Sequence, residues 1–562
     1  MKKKGLYASH IVLLSIIATP SIRAAELAFF PSVRTTAAHT ESSPNGPLDT
    51  SYVEVTPSIA LSYQSAKLTT YASISNRYFY RDVEDDTSSE NFITGNYNAR
   101  YELIDASLYL LGYGSQSYNS INASTLLIDD LATTPQNQTK TKSNSAGFEA
   151  TNVENSWFAL SGRAIVSKFE SDNTSDALDS DQVSIDNTNY TSRLSIRSGK
   201  RFSRLNWIVN DNYRKTERDD GENSSRHALN GNIRYEFVDN WQAIVRYNES
   251  VQRFDNIDDE DDTFRSYGAG LRYDVNNNFI DLVYNKVAEQ SNFSDTDNDE
   301  FFSFRFNFRL SPRTQLSGSR DQDFYGDTES LRFTFANRKF RLSTQYSEEV
   351  TATSTAFGED STGVFVCPAD YLTVDDCFIP DSLTYTLQPG ETFQDLSTFQ
   401  DSLNDDERVR KSLTINTGYR FNRLTVAVQG RRTRVNFLGS NETTLQHTAS
   451  GSAILRIGVK TSLRGRAAMV ISEPDDSEFD NKSYLGSLGL YYQLNNDINF
   501  FVEGQYRVLE SDVPLADYQE RRILFNMSYT PGRQRARQLR QNSRASATNN
   551  DNGNNINNFN NF

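Results

Sequence analysis

Residues 301–310 read Phe301-Phe302-Ser303-Phe304-Arg305-Phe306-Asn307-Phe308-Arg309-Leu310. From Phe302 onward every second residue is large and apolar, and every residue between is polar or charged. A strand points successive side chains to opposite faces, so this segment has one greasy face and one carrying Arg305, Asn307 and Arg309. The alternation returns along nearly the whole chain in stretches of about ten residues, the length that crosses a bilayer as a tilted strand. It predicts an all-β fold: a transmembrane, antiparallel, up-and-down β-barrel of about 24 strands.

Neighbouring stretches can be written by face in the same way. Ile93, Gly95, Tyr97, Ala99, Tyr101 and Leu103 oppose Thr94, Asn96, Asn98, Arg100 and Glu102. Tyr267, Ala269, Leu271, Tyr273 and Val275 oppose Ser266, Gly268, Gly270 and Arg272. Ile523, Phe525, Met527 and Tyr529 oppose Leu524, Asn526, Ser528 and Thr530. The apolar series are expected to face lipid. Tyrosine and phenylalanine are abundant, at 29 and 35, and tryptophan is scarce, at 3, so Tyr and Phe near strand ends are expected to form the interfacial girdles.

The connections alternate in length. Short turns are read at 64–67, 104–105, 238–240, 276–278, 311–313, 337–339, 422–423 and 495–497. Long polar stretches are read between them, at 81–90, 119–140, 170–188, 215–224, 252–262, 288–300, 321–329, 349–406, 436–442, 472–481 and 509–520. Bacterial barrels have this asymmetry, with short periplasmic turns and long external loops. A soluble β-sandwich also alternates along its strands, but it gives no reason for loop lengths that alternate over the whole body.

Both chain ends differ from the body. Lys2, Lys3 and Lys4, an apolar core over residues 11–18 and small residues at Ala24 and Ala25 form a secretory signal, assigned to residues 1–25. The barrel is assigned to 26–530. Residues 531–562 carry Arg533, Arg535, Arg537, Arg540 and Arg544, then an Asn-rich run, and are expected to be a disordered periplasmic tail. The mean hydropathy of −0.62 fits a soluble protein, but equally a barrel with a wet lumen, where only alternate residues meet lipid.

The net charge of −16 argues against a nucleic-acid partner. Acidic residues gather in the long loops: Asp258 to Asp262; Asp295, Asp297, Asp299 and Glu300; Asp172, Asp176, Asp179 and Asp181; and Glu473, Asp475, Asp476 and Glu478. These are candidates for weak Ca²⁺ or Mg²⁺ binding, both hard oxygen-seeking ions. Asp295-x-Asp297-x-Asp299 lacks the glycine and the distal glutamate of an EF-hand, so a solvated loop is the plainer reading, and no cofactor is expected. The two cysteines, Cys367 and Cys377, share the longest loop and are expected to form a local disulfide in an exported chain. That loop, 349–407, is expected either to fold inward and narrow the passage or to cap the barrel. Of four histidines, His227 and His447 sit in strand patterns with no nucleophile motif beside them, so no enzyme activity is expected.

Arginine is concentrated on the polar strand faces. Candidate lumen-lining residues are Arg193, Arg197, Arg234, Arg246, Arg272, Arg305, Arg309, Arg332, Arg464 and Arg466, with Arg341, Arg431, Arg456 and Arg507 in the same pattern. Guanidinium is always charged and binds carboxylate or phosphate in a bidentate way. A wall so lined favours an anionic solute. The alternative is that the arginines pair with lumen carboxylates such as Glu102, Glu236, Asp281 and Glu503 and fill the barrel structurally.

Val55-Thr56-Pro57-Ser58-Ile59-Ala60-Leu61, the hairpin that follows and the stretch Ala99-Arg100-Tyr101-Glu102-Leu103-Ile104-Asp105-Ala106-Ser107-Leu108-Tyr109-Leu110 carry a resemblance. The chain resembles the outer-membrane β-barrel proteins associated with the PEP-CTERM/exosortase system, and the wider group of barrel porins found near exopolysaccharide genes. The resemblance covers about residues 26–530 and implies an outer-membrane barrel. Its implied role is a porin-like conduit linked to exopolysaccharide or surface-protein export; the alternative expected from the acidic external loops is a surface-anchoring or adhesion barrel with a plugged lumen. The partners expected of such a barrel are outer-membrane lipid and lipopolysaccharide and the barrel-assembly machinery, with an anionic polysaccharide as the candidate solute of the arginine-lined wall. The resemblance supplies no site residues.

Overall fold

In the computed structural model, residues 26–531 are described except 44–48, 84–85, 121–126, 128–129, 173–184, 220–222, 255–261, 277, 291–298, 352–364, 369–390, 395–406, 439–442, 475–479, 496 and 513–516. Residues 1–25 and 532–562, which hold the expected signal and tail, lie outside the described residues. So does the expected pairing of Cys367 with Cys377.

The strands in chain order are β1 (Glu26–Ser42), β2 (Thr50–Gln64), β3 (Leu68–Val83), β4 (Asp86–Ile104), β5 (Leu108–Ser120), β6 (Gln138–Glu154), β7 (Phe158–Asp172) and β8 (Ile185–Ser198). Then come β9 (Leu205–Arg218), β10 (Ser224–Val238), β11 (Trp241–Phe254), β12 (Asp262–Val275), β13 (Asn278–Glu289), β14 (Glu300–Ser311), β15 (Thr314–Asp323), β16 (Gly326–Ala336) and β17 (Phe340–Thr351). A small separate hairpin, β18 (Phe365–Pro368) and β19 (Glu391–Gln394), precedes β20 (Arg408–Arg420), β21 (Leu424–Phe437), β22 (Thr443–Arg456), β23 (Thr461–Pro474), β24 (Asn481–Gln493), β25 (Ile498–Ser511) and β26 (Tyr518–Tyr529).

All but β18 and β19 form one 24-stranded antiparallel sheet in which each strand pairs with its chain neighbours, β17 pairing with β20. The sheet closes on itself: β1 pairs with β2 on one side and with β26 on the other, from Val33 opposite Tyr529 to Ser42 opposite Glu520. Closure leaves no strand edge with unpaired backbone groups, the condition for a sheet to cross hydrocarbon.

The two faces follow the sequence alternation. Phe302, Phe304 and Phe306 lie opposite Tyr284, Leu282 and Ile280 on the outward face. Arg305 lies opposite Asp281 on the inward face. The outward series is exposed along the whole wall, with Phe302 at 63%, Leu310 at 67% and Ile523 at 68%. Such a surface is unfavourable in water and is satisfied only by hydrocarbon. Aromatic residues border it at both ends. At the short-turn end Trp241 lies 5.0 Å from Tyr273, and Trp157 lies 6.1 Å from Phe202 with the Arg201 guanidinium 4.0 Å above it. At the long-loop end the Tyr506 hydroxyl donates to Gln519 Oε1 at 3.0 Å and the Tyr247 hydroxyl donates to Glu249.

Two of the expected long loops are strand instead. Residues 81–90 belong mostly to β3 and β4, paired as far as Val83 opposite Asp86. Residues 321–329 belong mostly to β15 and β16, joined by the two-residue turn Phe324-Tyr325. The polar composition there reflects a ladder that continues past the membrane, where both faces meet water or other polar groups. Gly326, with φ of +110°, supplies the left-handed backbone that closes the second turn.

Gly270 of β12 marks a close approach. A Cβ there would lie 2.0 Å from the Leu282 carbonyl oxygen and 2.6 Å from Val283 Cα on β13. Gly270→Ala is expected to strain the β12–β13 ladder by about 1–2 kcal/mol, read as a lower unfolding midpoint in a heat-modifiability titration on gels. An unchanged midpoint would show that the strands part at no cost.

Candidate functional site

The register places all ten candidate arginines on the inward face. Arg193 lies opposite Arg163, and Arg197 opposite Ala159. Arg234 lies opposite Ile244, and Arg246 opposite Gly268. Arg272 and Arg305 both face Asp281 across adjacent ladders. Arg309 lies opposite Gln315, Arg332 opposite Ser317, and Arg464 and Arg466 opposite Ile454 and Ser452.

Their surroundings divide the wall into two sectors. From β25 through β26 and β1 to β15, many guanidiniums meet carboxylates. Arg77 Nε donates to Glu54 Oε1 at 2.8 Å, and Arg100 Nη2 and Arg197 Nη2 donate to Glu149 and Glu154 at 2.9 Å each. Arg272 spans Asp274 at 2.8 Å and Asp281 at 3.2 Å, and Arg246 reaches Asp321 at 3.1 Å. For these positions the structural alternative holds: acid and base neutralise each other.

The sector made by β16, β17 and β20–β24 is different. Its inward faces carry Arg332, Arg341, Arg431, Arg464 and Arg466. Among the described residues of those faces there is one carboxylate, Glu349, at the long-loop rim and bound to Arg410. The short turns beneath are basic too, with Arg338, Lys339, Arg423 and Lys460. The side chains beside these arginines include neutral anchors. Arg332 Nη2 donates to Gln345 Oε1 at 2.9 Å, Arg431 Nε donates to Thr414 Oγ1 at 3.0 Å, and the Arg464 guanidinium lies 4.0 Å above the Tyr491 ring. Neutral anchors orient a guanidinium without cancelling its charge, so among the described residues the inward face of this sector is predominantly positive.

The long-loop mouth is narrowed from inside. Between β5 and β6, Leu127 and residues 130–137 turn into the barrel and lie on the wall. Leu127 packs on Ala468, Val470 and Leu485, and Leu131 and Ala132 pack among Ala38, Tyr52, Phe79 and Phe92. Asp130 fixes them: its Oδ2 accepts from Arg522 Nη1 at 2.6 Å and Arg507 Nη1 at 2.8 Å. Its Oδ1 accepts from the backbone N–H groups of Ala132 and Thr133 at 2.8 Å. Burial pushes this carboxyl up, but the Arg522 and Arg507 guanidiniums outweigh burial and hold it well below the usual carboxylate range.

From the other side the β15–β16 turn enters the mouth. Phe324 is fully buried among Phe264, Val350 and Val409. Asp323 accepts from Arg226 Nη2 at 2.7 Å on β10. Glu407, just before β20, reaches across to accept from Ser224 Oγ and Gln252 Nε2 at 2.7 Å each.

Sequence reading missed Asp130, Asp323 and Glu407, since acids in polar loops look solvated. A signal did exist for the first. Leu126, Leu127, Ile128 and Leu131 form an apolar cluster inside an otherwise polar connection. The loop expected to enter the lumen, 349–407, lies outside the described residues except for its ends, β18 and β19. Most of the acidic loop clusters also lie outside them, and among the described residues no three His, Cys, Asp or Glu side chains are grouped to hold a metal ion. His227, read as solitary, has a partner: its Nε2 lies 2.6 Å from Asp211 Oδ1. Both residues are on the outward face, where His227 lies opposite Tyr213.

A closed cylinder of paired strands, apolar outside and polar within, defines an outer-membrane β-barrel, and the protein resides in the bacterial outer membrane. No protein-family model matches the chain, and no curated protein matches it. Among solved structures it is similar to the siderophore receptor PirA from Acinetobacter baumannii, with a TM-score of 0.43 at 9% identity over 89% of this chain and 80% of that one. It is also similar to the FrpB iron transporter from Neisseria meningitidis (F5-1 variant), at 0.41 and 8% over 89% and 82%. A loop-deleted form of OmpT, an outer membrane protein of Vibrio cholerae, gives 0.23 at 8% over 58% and 97%.

Proposed function

We propose that the protein is a passive conduit for an anionic solute, with an anionic polysaccharide as the solute class. The observation that carries this is the one-sided basic sector. Five inward arginines on β16, β17, β21 and β23 stand over basic turns, with a single rim carboxylate among the described inward residues of the sector. A polyanion moving along the wall exchanges one guanidinium for the next, so no single contact is strong enough to trap it. Export of exopolysaccharide, implied by the family resemblance, fits a wall that grips a repeating negative charge.

A second reading is a surface-anchoring barrel with a filled lumen, favoured by the contacts that Asp323, Glu407 and Asp130 make across the mouth. Planar-bilayer recording separates the two. The conduit gives discrete steps with anion preference, which weakens as the screening length falls from about 10 Å at 0.1 M salt to about 3 Å at 1 M. Silence in the bilayer, with correctly assembled protein, supports the anchor.

A further inference from the structure

The outward wall between β24 and β1 has a dent of about 640 Å³, within the range of small-ligand sites, roughly 300–1,000 Å³. Its floor is Gly486 and Gly504, where an added Cβ would meet nothing within 4 Å. Leu488, Tyr506 and Ile523 wall it. All three are exposed on the lipid side. Leu488, Tyr506 and Ile523 rise beside the two glycines, and Ala467 opposite Gly486 is small as well, so a trough is left in the lipid-facing surface.

The trough opens toward the long-loop end at Arg521. Several outward cations toward that end are neutralised. Lys168 lies 2.8 Å from Glu170, Lys215 2.5 Å from Glu217, Arg320 2.8 Å from Asp327 and Lys411 3.1 Å from Glu348. Among the described residues Arg432, Arg434 and Lys482 are in no ion pair, but they do not stand over the trough. Arg521 is likewise in no such pair among the described residues. Its strand neighbour Glu41 is turned to His39, whose Nε2 lies 3.7 Å from Glu41 Oε1 and whose Nδ1 lies 2.9 Å from Ser51 Oγ. Arg521 stands at the headgroup boundary directly above the apolar trough, whose mouth His39 and Glu41 also line, and a guanidinium so placed matches an amphiphile with a phosphate above and an acyl chain below. The long-loop end faces the outer leaflet, so the amphiphile is that leaflet's phosphorylated glycolipid.

We infer that Arg521 and the glycine-floored trough bind one lipopolysaccharide molecule, its phosphate on the guanidinium and one acyl chain over Gly486 and Gly504. Binding is independent of what passes through the lumen. The test is native mass spectrometry of the full-length mature protein, extracted in mild detergent and titrated with purified lipid A or with phosphatidylglycerol. The expected result is a single retained lipid A adduct, reduced tenfold or more by Arg521→Gln and by Gly504→Leu, and unchanged by Lys215→Gln. Gly486→Leu repeats the filling test if Gly504→Leu does not assemble, as judged by heat-modifiable gel mobility. Equal retention in wild type and in the assembled variants overturns the site. Retention of phosphatidylglycerol at the level of lipid A overturns the assigned occupant.

Discussion

Single channels of a variant carrying glutamine at Arg332, Arg341, Arg431, Arg464 and Arg466 are expected to lose their anion preference. The permeability ratio should fall from several-fold to about one at 0.1 M salt, where charges within about 10 Å of a permeating ion are unscreened. The reason is the composition of the sector: its described inward faces carry one carboxylate, Glu349, and the neighbours Gln345, Thr414 and Tyr491 of Arg332, Arg431 and Arg464 are neutral. Glutamine keeps hydrogen-bonding capacity, and each lost contact costs only about 1 kcal/mol. The ladder of backbone bonds is untouched, so heat-modifiable mobility should persist. The control is the pair Arg100 and Glu149, 2.9 Å apart on the opposite sector. Changing both to glutamine removes no net charge and is expected to leave the ratio unmoved. An equal loss of selectivity in the control would place the preference in the barrel as a whole and remove the basic sector as its source.

The alternation in 301–310 fixes which residues face lipid, and the register from Phe302 opposite Tyr284 to Phe306 opposite Ile280 agrees with it strand for strand. That much is local: a period of two and a stretch long enough to span. Loop lengths were less legible. The tight turn at Phe324-Tyr325 was hidden because Asp321 and Asp323, which look like loop residues, are strand residues aimed at Arg246 and Arg226 across the lumen. Sequence marks a residue as polar but does not say whether water or another wall of the barrel satisfies it. The same gap explains the arginines. Face was legible for all ten, but whether Arg272 meets Asp274 and Asp281 while Arg332 meets only a neutral neighbour such as Gln345 depends on register and reach between strands.

Asp130→Asn is expected to release Leu127 and residues 130–137 from the wall and so to widen the mouth. The carboxylate is the counter-charge of two guanidiniums, Arg507 and Arg522, both largely buried. Asparagine turns an N–H₂ or a weaker acceptor toward them and leaves Glu520, 2.9 Å from Arg522, as their remaining acid. Breaking a buried pair from one side costs about 3 kcal/mol, which lowers the docked-to-undocked ratio roughly a hundredfold. The expected readout is a larger and noisier single-channel conductance with unchanged barrel stability, since no wall ladder depends on the loop. Arg522→Gln added to Asp130→Asn should cost less than the sum of the two, because they share one interaction. The pH dependence follows from the depressed carboxyl. A group lowered in the docked state contributes fully above its ordinary value and loses its contribution only as pH falls through the lowered one. Wild-type conductance should therefore stay constant from about pH 7 down to about pH 4, where an ordinary carboxylate would begin to protonate. A rise already present at about pH 5 would mean that Asp130 titrates normally and does not hold the loop.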